Sequence, residues 1–164
     1  MRAGGRGRVV SALVAAGGIK KALFNPGAHG GAASLGLLIL RLGAGGMLVF
    51  GHGWGKLLAF ADKSQGFPDP LGIGHLPSMA GTVGAEVVCA ALVAVGLATR
   101  LAALPVVFTM VVAGFVVNAG APWGEKELAA IYLVPFLALV FTGPGAYSLD
   151  AKIAGSSRGR GKRV

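Results

Sequence analysis

Two ionisable residues stand inside stretches that are otherwise almost wholly apolar. Arg41 interrupts Leu35–Phe50 (LGLLILRLGAGGMLVF), and Glu86 interrupts Met79–Ala98 (MAGTVGAEVVCAALVAVGLA). Apolar runs of this length read as membrane spans. An ionisable group within a span is costly, so by default it is a functional-site candidate. Opposite charges on two spans predict that both face a shared protein interior and not lipid. Three readings stay open. Arg41 and Glu86 form a buried ion pair that pins the first helix to the second, or Arg41 extends its long side chain to the headgroups. In the third, Glu86 works with His52 and Lys56 near the outer end of the first span. A desolvated carboxyl and an imidazole that titrates near neutrality suit proton exchange, or contact with the head of a quinone. Asn118 ends the third span and Glu127 begins the fourth, both expected on that same side. The candidate polar set is therefore Arg41, His52, Lys56, Glu86, Asn118 and Glu127, with quinone as the candidate cofactor.

Helical spacing turns these positions into faces. At about 100° per residue, Arg41 and His52 fall within roughly 20° of each other, and Lys56 lies about 60° from Arg41. Gly51 and Gly55 form a GxxxG pair, predicting close approach of another helix there. Metal and haem chemistry find little support. His29, His52 and His75 are the three histidines, Cys89 is the one cysteine, and no HxxxH or CxxC spacing occurs. Zinc needs three or four ligands, and a bis-histidine haem needs two facing imidazoles. A lone cysteine also excludes an intrachain disulfide.

Four spans must position these side chains, at about 35–60, 78–99, 101–119 and 127–142. Pro135 is expected to kink the fourth without breaking it. The connection Asp62–Pro77 is rich in Pro and Gly, the turn at Thr99–Arg100 is nearly loopless, and Gly120–Lys126 is short. Short connections make neighbours antiparallel, so the expected fold is all-α, an integral membrane four-helix up-down-up-down bundle. Trp54 and Trp123 are expected at the membrane interface.

Composition agrees. The 164 residues are 54% hydrophobic and 13% charged, against about 25% charged in a soluble domain. The net charge of +9 is not spread over the chain. Arg2, Arg6, Arg8, Lys20, Lys21, Lys152, Arg158, Arg160, Lys162 and Arg163 all lie in the flanks. That pattern points to anionic lipid headgroups and away from nucleic acid, because no nucleic-acid recognition motif accompanies it. Cations on the two tails and at Arg100 place both termini in the cytoplasm. The expected organisation is a basic N-terminal tail (1–33), a transmembrane domain (34–153) and a disordered basic tail (154–164). Within the first tail, Val9–Leu23 is expected to lie in the interface as a short basic helix, or to be disordered. A cleaved signal is disfavoured because no convincing cleavage site follows.

The order of several motifs resembles a known family. Asn25-Pro26 precedes the first span. Arg41 is followed by GHGWGKLLAF (Gly51–Phe60), Glu86 by GLATRLAAL (Gly96–Leu104), and the chain then carries GPGAYSLD (Gly143–Asp150). Together these resemble the DoxX family of small four-helix bacterial inner-membrane proteins, over about Phe24–Ile153. The resemblance implies a multi-pass protein of the bacterial inner (plasma) membrane. It also implies a membrane subunit or anchor of an oxidoreductase complex, with a quinone link and soluble redox proteins as partners. Matching positions here are Arg41, Lys56, Glu86, Arg100, Glu127 and Asp150. Members of the family often carry a histidine near the end of the third span, where this chain has Asn118. A non-enzymatic scaffold recruiting soluble partners and a small transporter are the alternatives.

Overall fold

The computed structural model describes residues 25–160, and every regular element among them is helical. The expected interfacial segment Val9–Leu23 lies outside the described residues. Three helices are long and apolar enough to cross a membrane: α1 (Gly31–Leu58), α2 (His75–Val95) and α3 (Thr99–Val117). A fourth, α4 (Trp123–Thr142), is 20 residues long. Glu125, Lys126 and Glu127 all fall in its first turns, and this makes its N-terminal end polar. Pro135 sits inside α4, as Pro105 sits inside α3, and neither ends its helix. A last helix, α5 (Leu149–Arg160), carries the chain into the stretch expected as a disordered tail. Its start is fixed by Ser148, whose Oγ accepts the Ala151 N–H at 3.1 Å. Capping of this kind favours helix over coil downstream.

Consecutive helices are antiparallel. Along α1 and α2, Arg41 meets Ala94, Gly45 meets Ala90, and Gly53 meets Glu86. Along α3 and α4, Arg100 meets Thr142, Gly114 meets Ala129, and Asn118 meets Glu125. The core between them is built from Leu48, Val93, Val106, Met110, Phe136 and Leu139, all nearly inaccessible. Only 33%, 33% and 28% of the most apolar stretch of α1, α2 and α3 is buried. The outward faces remain apolar, with Ile39, Phe50, Phe108, Ile131 and Phe141 all more than half exposed. Helices apolar on every side suit a lipid surround, not water.

Two departures from regular helix shape the bundle. α1, α2 and α3 each widen into a π turn, at Val49–Gly53, Gly84–Cys89 and Val112–Val117. Such turns are rare and concentrate at functional sites. The second concerns the close approach of α1 and α2, which the sequence placed at Gly51 and Gly55. Both of those glycines face open space. The contact is made instead at Gly45 and Gly53. An added Cβ at Gly45 would stand 2.8 Å from the Ala90 carbonyl oxygen, and one at Gly53 would stand 2.9 Å from the Glu86 carbonyl oxygen. Glycine is abundant in α1, so spacing alone did not identify the pair that touches.

Replacing Gly45 with Val is expected to lower stability by roughly 1–3 kcal/mol through overpacking. Gly51→Ala is expected to be neutral or slightly stabilising, since alanine is the better helix former. The midpoints of unfolding in detergent measure both.

Candidate functional site

Arg41 and Glu86 are both buried, at 0% and 4% exposure, so both face the protein interior. They do not pair with each other. They sit at opposite ends of the bundle and organise two separate polar centres.

The first centre is built on Glu86. Its two carboxylate oxygens each accept a hydrogen bond from Lys56 Nζ at 2.6 Å. Lys56 lies three residues beyond the glycine contact at Gly53, where the helices are close enough for the ammonium to reach across. The pair is asymmetric, with the Lys56 side chain 35% exposed and that of Glu86 5%. His52, one turn before Lys56 on α1, stands edge-on to Tyr132 of α4, with ring centroids 5.5 Å apart and planes at 79°. Tyr132 is itself buried and lies within electrostatic reach of Glu86.

Lys56 and Glu86 form the polar floor of a cavity of about 360 Å³. Its walls come from α2, α3 and the loop between α1 and α2, and apart from Ser78, Thr82 and Thr109 they are apolar. Phe108 and Val117 of α3 line it and are also exposed on the outer face of the bundle. The cavity therefore reaches the lipid-facing surface. Preformed, mostly apolar clefts of a few hundred Å³ with a few polar groups are the usual form of a small-molecule site.

The loop over this cavity is held by Asp69. Its Oδ1 accepts the Ile73 N–H at 3.0 Å and the Ser78 hydroxyl at 2.7 Å, and its Oδ2 accepts the Gly74 N–H at 2.7 Å. These bonds, the Ser78 hydroxyl foremost, hold the carboxyl below the usual carboxylate range. His75 closes the same loop through Nδ1 on the Phe67 carbonyl, at 2.6 Å.

The second centre gathers Arg41, the α2–α3 turn and the segment before α5. Arg41 Nη1 donates to the Ala94 carbonyl at 3.0 Å, and Nη2 donates to the Tyr147 carbonyl. Gly96 takes φ +76° at the turn, and a Cβ there would strike the guanidinium and Ser148. Asp150 is fully buried and receives the Ala98 N–H at 2.7 Å and the Thr99 N–H at 3.0 Å, capping α3 from across the chain. It also supplies Arg41 with an opposing charge. The Arg41 side chain is enclosed by these partners, so the reading in which it reaches the headgroups gives way. So does the Arg41–Glu86 ion pair, because each charge has a nearer partner.

The remaining candidates separate from the cavity. Asn118 is half-buried at the end of α3 and donates from Nδ2 to the Glu125 carbonyl at 3.3 Å, closing the turn into α4. Glu127 is exposed on α4. Among the described residues no three of His, Cys, Asp and Glu gather as a metal site would require. Sequence reasoning missed Tyr132, Asp69 and the loop residues that wall the cavity. The Pro-Asp-Pro at 68–70 was the available signal, because alternating prolines fix a loop's path.

Compared with known families, residues 36–119 match the DoxX family model. That stretch is just over half of the chain and carries Arg41, His52, Lys56, Glu86, Asn118 and the whole cavity loop. No curated protein and no solved structure matches the chain.

Lys56→Met strands a buried carboxylate and is expected to destabilise by roughly 2–4 kcal/mol, somewhat under the cost for a fully enclosed pair. Adding Glu86→Leu removes the stranded charge and is expected to restore most of the loss, as read from unfolding midpoints in detergent. A second expectation concerns pH. The folded-state pKa of Asp69 is depressed, so its contribution is present above the unfolded value of about 3.9 and is lost as pH falls through the lower folded value. Below pH about 5 the Ile73 and Gly74 amide resonances are expected to titrate with a midpoint below about 3.9.

Proposed function

The chain belongs to the DoxX family, and on that premise we propose that it is the membrane subunit of a quinone-linked oxidoreductase complex, holding a quinone head in the Lys56–Glu86 cavity. The observation that carries this reading is an ion pair at the floor of an apolar cavity that opens on the lipid-facing surface. A ligand that lives in the bilayer and carries one polar end matches that shape. Lys56 has three N–H donors, and two are directed at Glu86. The third is free to donate to a quinone carbonyl oxygen. Glu86 offers acceptors to the hydroxyls of the reduced form. A bound quinone supplies two-electron, two-proton redox chemistry, and Glu86 with Lys56 can hold or release a proton beside it. Phe108 and the proline-rich loop supply apolar walls beside the polar pair.

The membrane frame follows from the same reading. α4 is the fourth span, with Glu125, Lys126 and Glu127 at the interface and the rest in hydrocarbon. Both termini and Arg100 share the cytoplasmic side of the bacterial inner membrane, by the excess of cations there. The basic tails contact anionic headgroups and stand near soluble redox partners.

The test is titration of a short-tailed benzoquinone into the purified protein in lipid nanodiscs, followed by calorimetry. Wild type is expected to bind in the micromolar range, near −8 kcal/mol. Glu86→Gln and Lys56→Met are each expected to weaken binding at least tenfold, with Gly51→Ala unchanged. A wild type that takes up no quinone, or variants that bind as it does, would remove the proposal in favour of a non-catalytic scaffold.

A further inference from the structure

We propose that Asp69 is a positioning residue whose carboxylate holds residues 67–73 closed over the cavity and so sets how fast a lipid-borne ligand enters and leaves. The inference rests on the reading of the cavity as a ligand site, and it concerns a residue that the cavity itself does not contain. Phe67, Pro68, Pro70, Leu71 and Ile73 all line the cavity, yet Asp69, between the two prolines, does not. Its side chain turns to the start of α2, where it gathers the Ile73 N–H, the Gly74 N–H and the Ser78 hydroxyl. Ser78 belongs to α2, so one carboxylate ties the wall-forming loop to the rigid bundle.

The loop has few other holds. Pro68 and Pro70 have no N–H to donate. Leu71 and Ile73 are about half exposed, at 47% and 57%, so burial anchors them only in part. The further ties are the His75 contact with the Phe67 carbonyl and a 3.4 Å bond from the Gly72 N–H to the Asp69 carbonyl. A segment with so few buried contacts opens locally at low cost, and the charge-assisted bonds to Asp69 dominate that cost. The ionisable neighbour acting on Asp69 is His75, at the start of α2, whose contact favours the charged carboxylate. Lys56 and Glu86 line the cavity, and neither is among the groups that act on Asp69.

Asp69→Asn is the informative variant. One oxygen becomes an amino group, and either orientation sets N–H against the Gly74 N–H or against the Ile73 N–H. The full chain in nanodiscs is compared with wild type by amide hydrogen exchange at neutral pH, with no ligand present. Exchange across residues 67–74 is expected to speed up about tenfold, the scale of one lost charge-assisted bond. Exchange in the body of α1 to α4 is expected to be unchanged, and the unfolding midpoint is expected to fall only slightly, by the loss of the Asp69 contribution. With the short-tailed benzoquinone, stopped-flow rates of binding and release are expected to rise together, by a similar factor. Loss of a ligand contact would raise release alone. Unchanged exchange in the loop overturns the proposal, and so does a rise in release without a rise in binding. If the loop loosens but wild type takes up no quinone, the clamp stands and the quinone reading fails. If quinone binds and the loop does not loosen, the reverse holds.

Discussion

A carboxylate cannot be taken into an apolar bundle without a partner, and the arrangement of α1 against α2 answers that constraint at Glu86. Lys56 must reach both oxygens from the neighbouring helix. This requires the two backbones to run close at that level, which Gly53 permits by presenting no side chain to the Glu86 carbonyl. The uncompensated cost of a buried ion is several kcal/mol, larger than any single apolar contact nearby. Leaving Glu86 unpaired would therefore cost more than losing any one of those contacts.

The opposite end of the bundle meets the same constraint differently. Arg41 has its charge spread over helix and loop carbonyls, with Asp150 close by, and Asp150 at the same time caps α3. Along an ideal helix the fifteen residues from Arg41 to Lys56 span about 22 Å, most of a hydrocarbon core of about 30 Å. One centre is enclosed by carbonyls and by the Ser148 and Asp150 side chains, whereas the other opens into a cavity. That contrast separates a locked structural end from an end able to receive a ligand. The three π turns belong to the open end, where a widened helix turn frees space that regular packing would fill.

The match to the DoxX family and the cavity bear on different levels of the same question. The family places the chain among small membrane proteins, and the matched segment ends before Tyr132 and Asp150. The cavity adds a location and a chemistry: a floor of one ammonium and one carboxylate, apolar walls, and a loop held by an acidic residue outside them.

The sequence by itself determined that the chain is helical, that its long apolar segments suit a bilayer (four were expected, and three have the length and hydropathy of a span), and that Arg41 and Glu86 turn inward. Each follows from local composition, since an apolar run of span length and the cost of exposing a charge to lipid need no knowledge of neighbours. Only the tertiary structure decided which charge meets which. Lys56 and not Arg41 reaches Glu86, because helix register depends on Gly45 and Gly53 and not on the Gly51–Gly55 spacing. The π turn at Val49–Gly53 also rotates everything beyond it away from the ideal step of about 100°. Asn118 and Glu127 were placed near Glu86 by depth alone, and depth does not say which way a side chain points. The cavity belongs to no single segment. It exists because a proline-rich loop folds over the gap between α2 and α3, and that is a long-range arrangement invisible to any window of sequence.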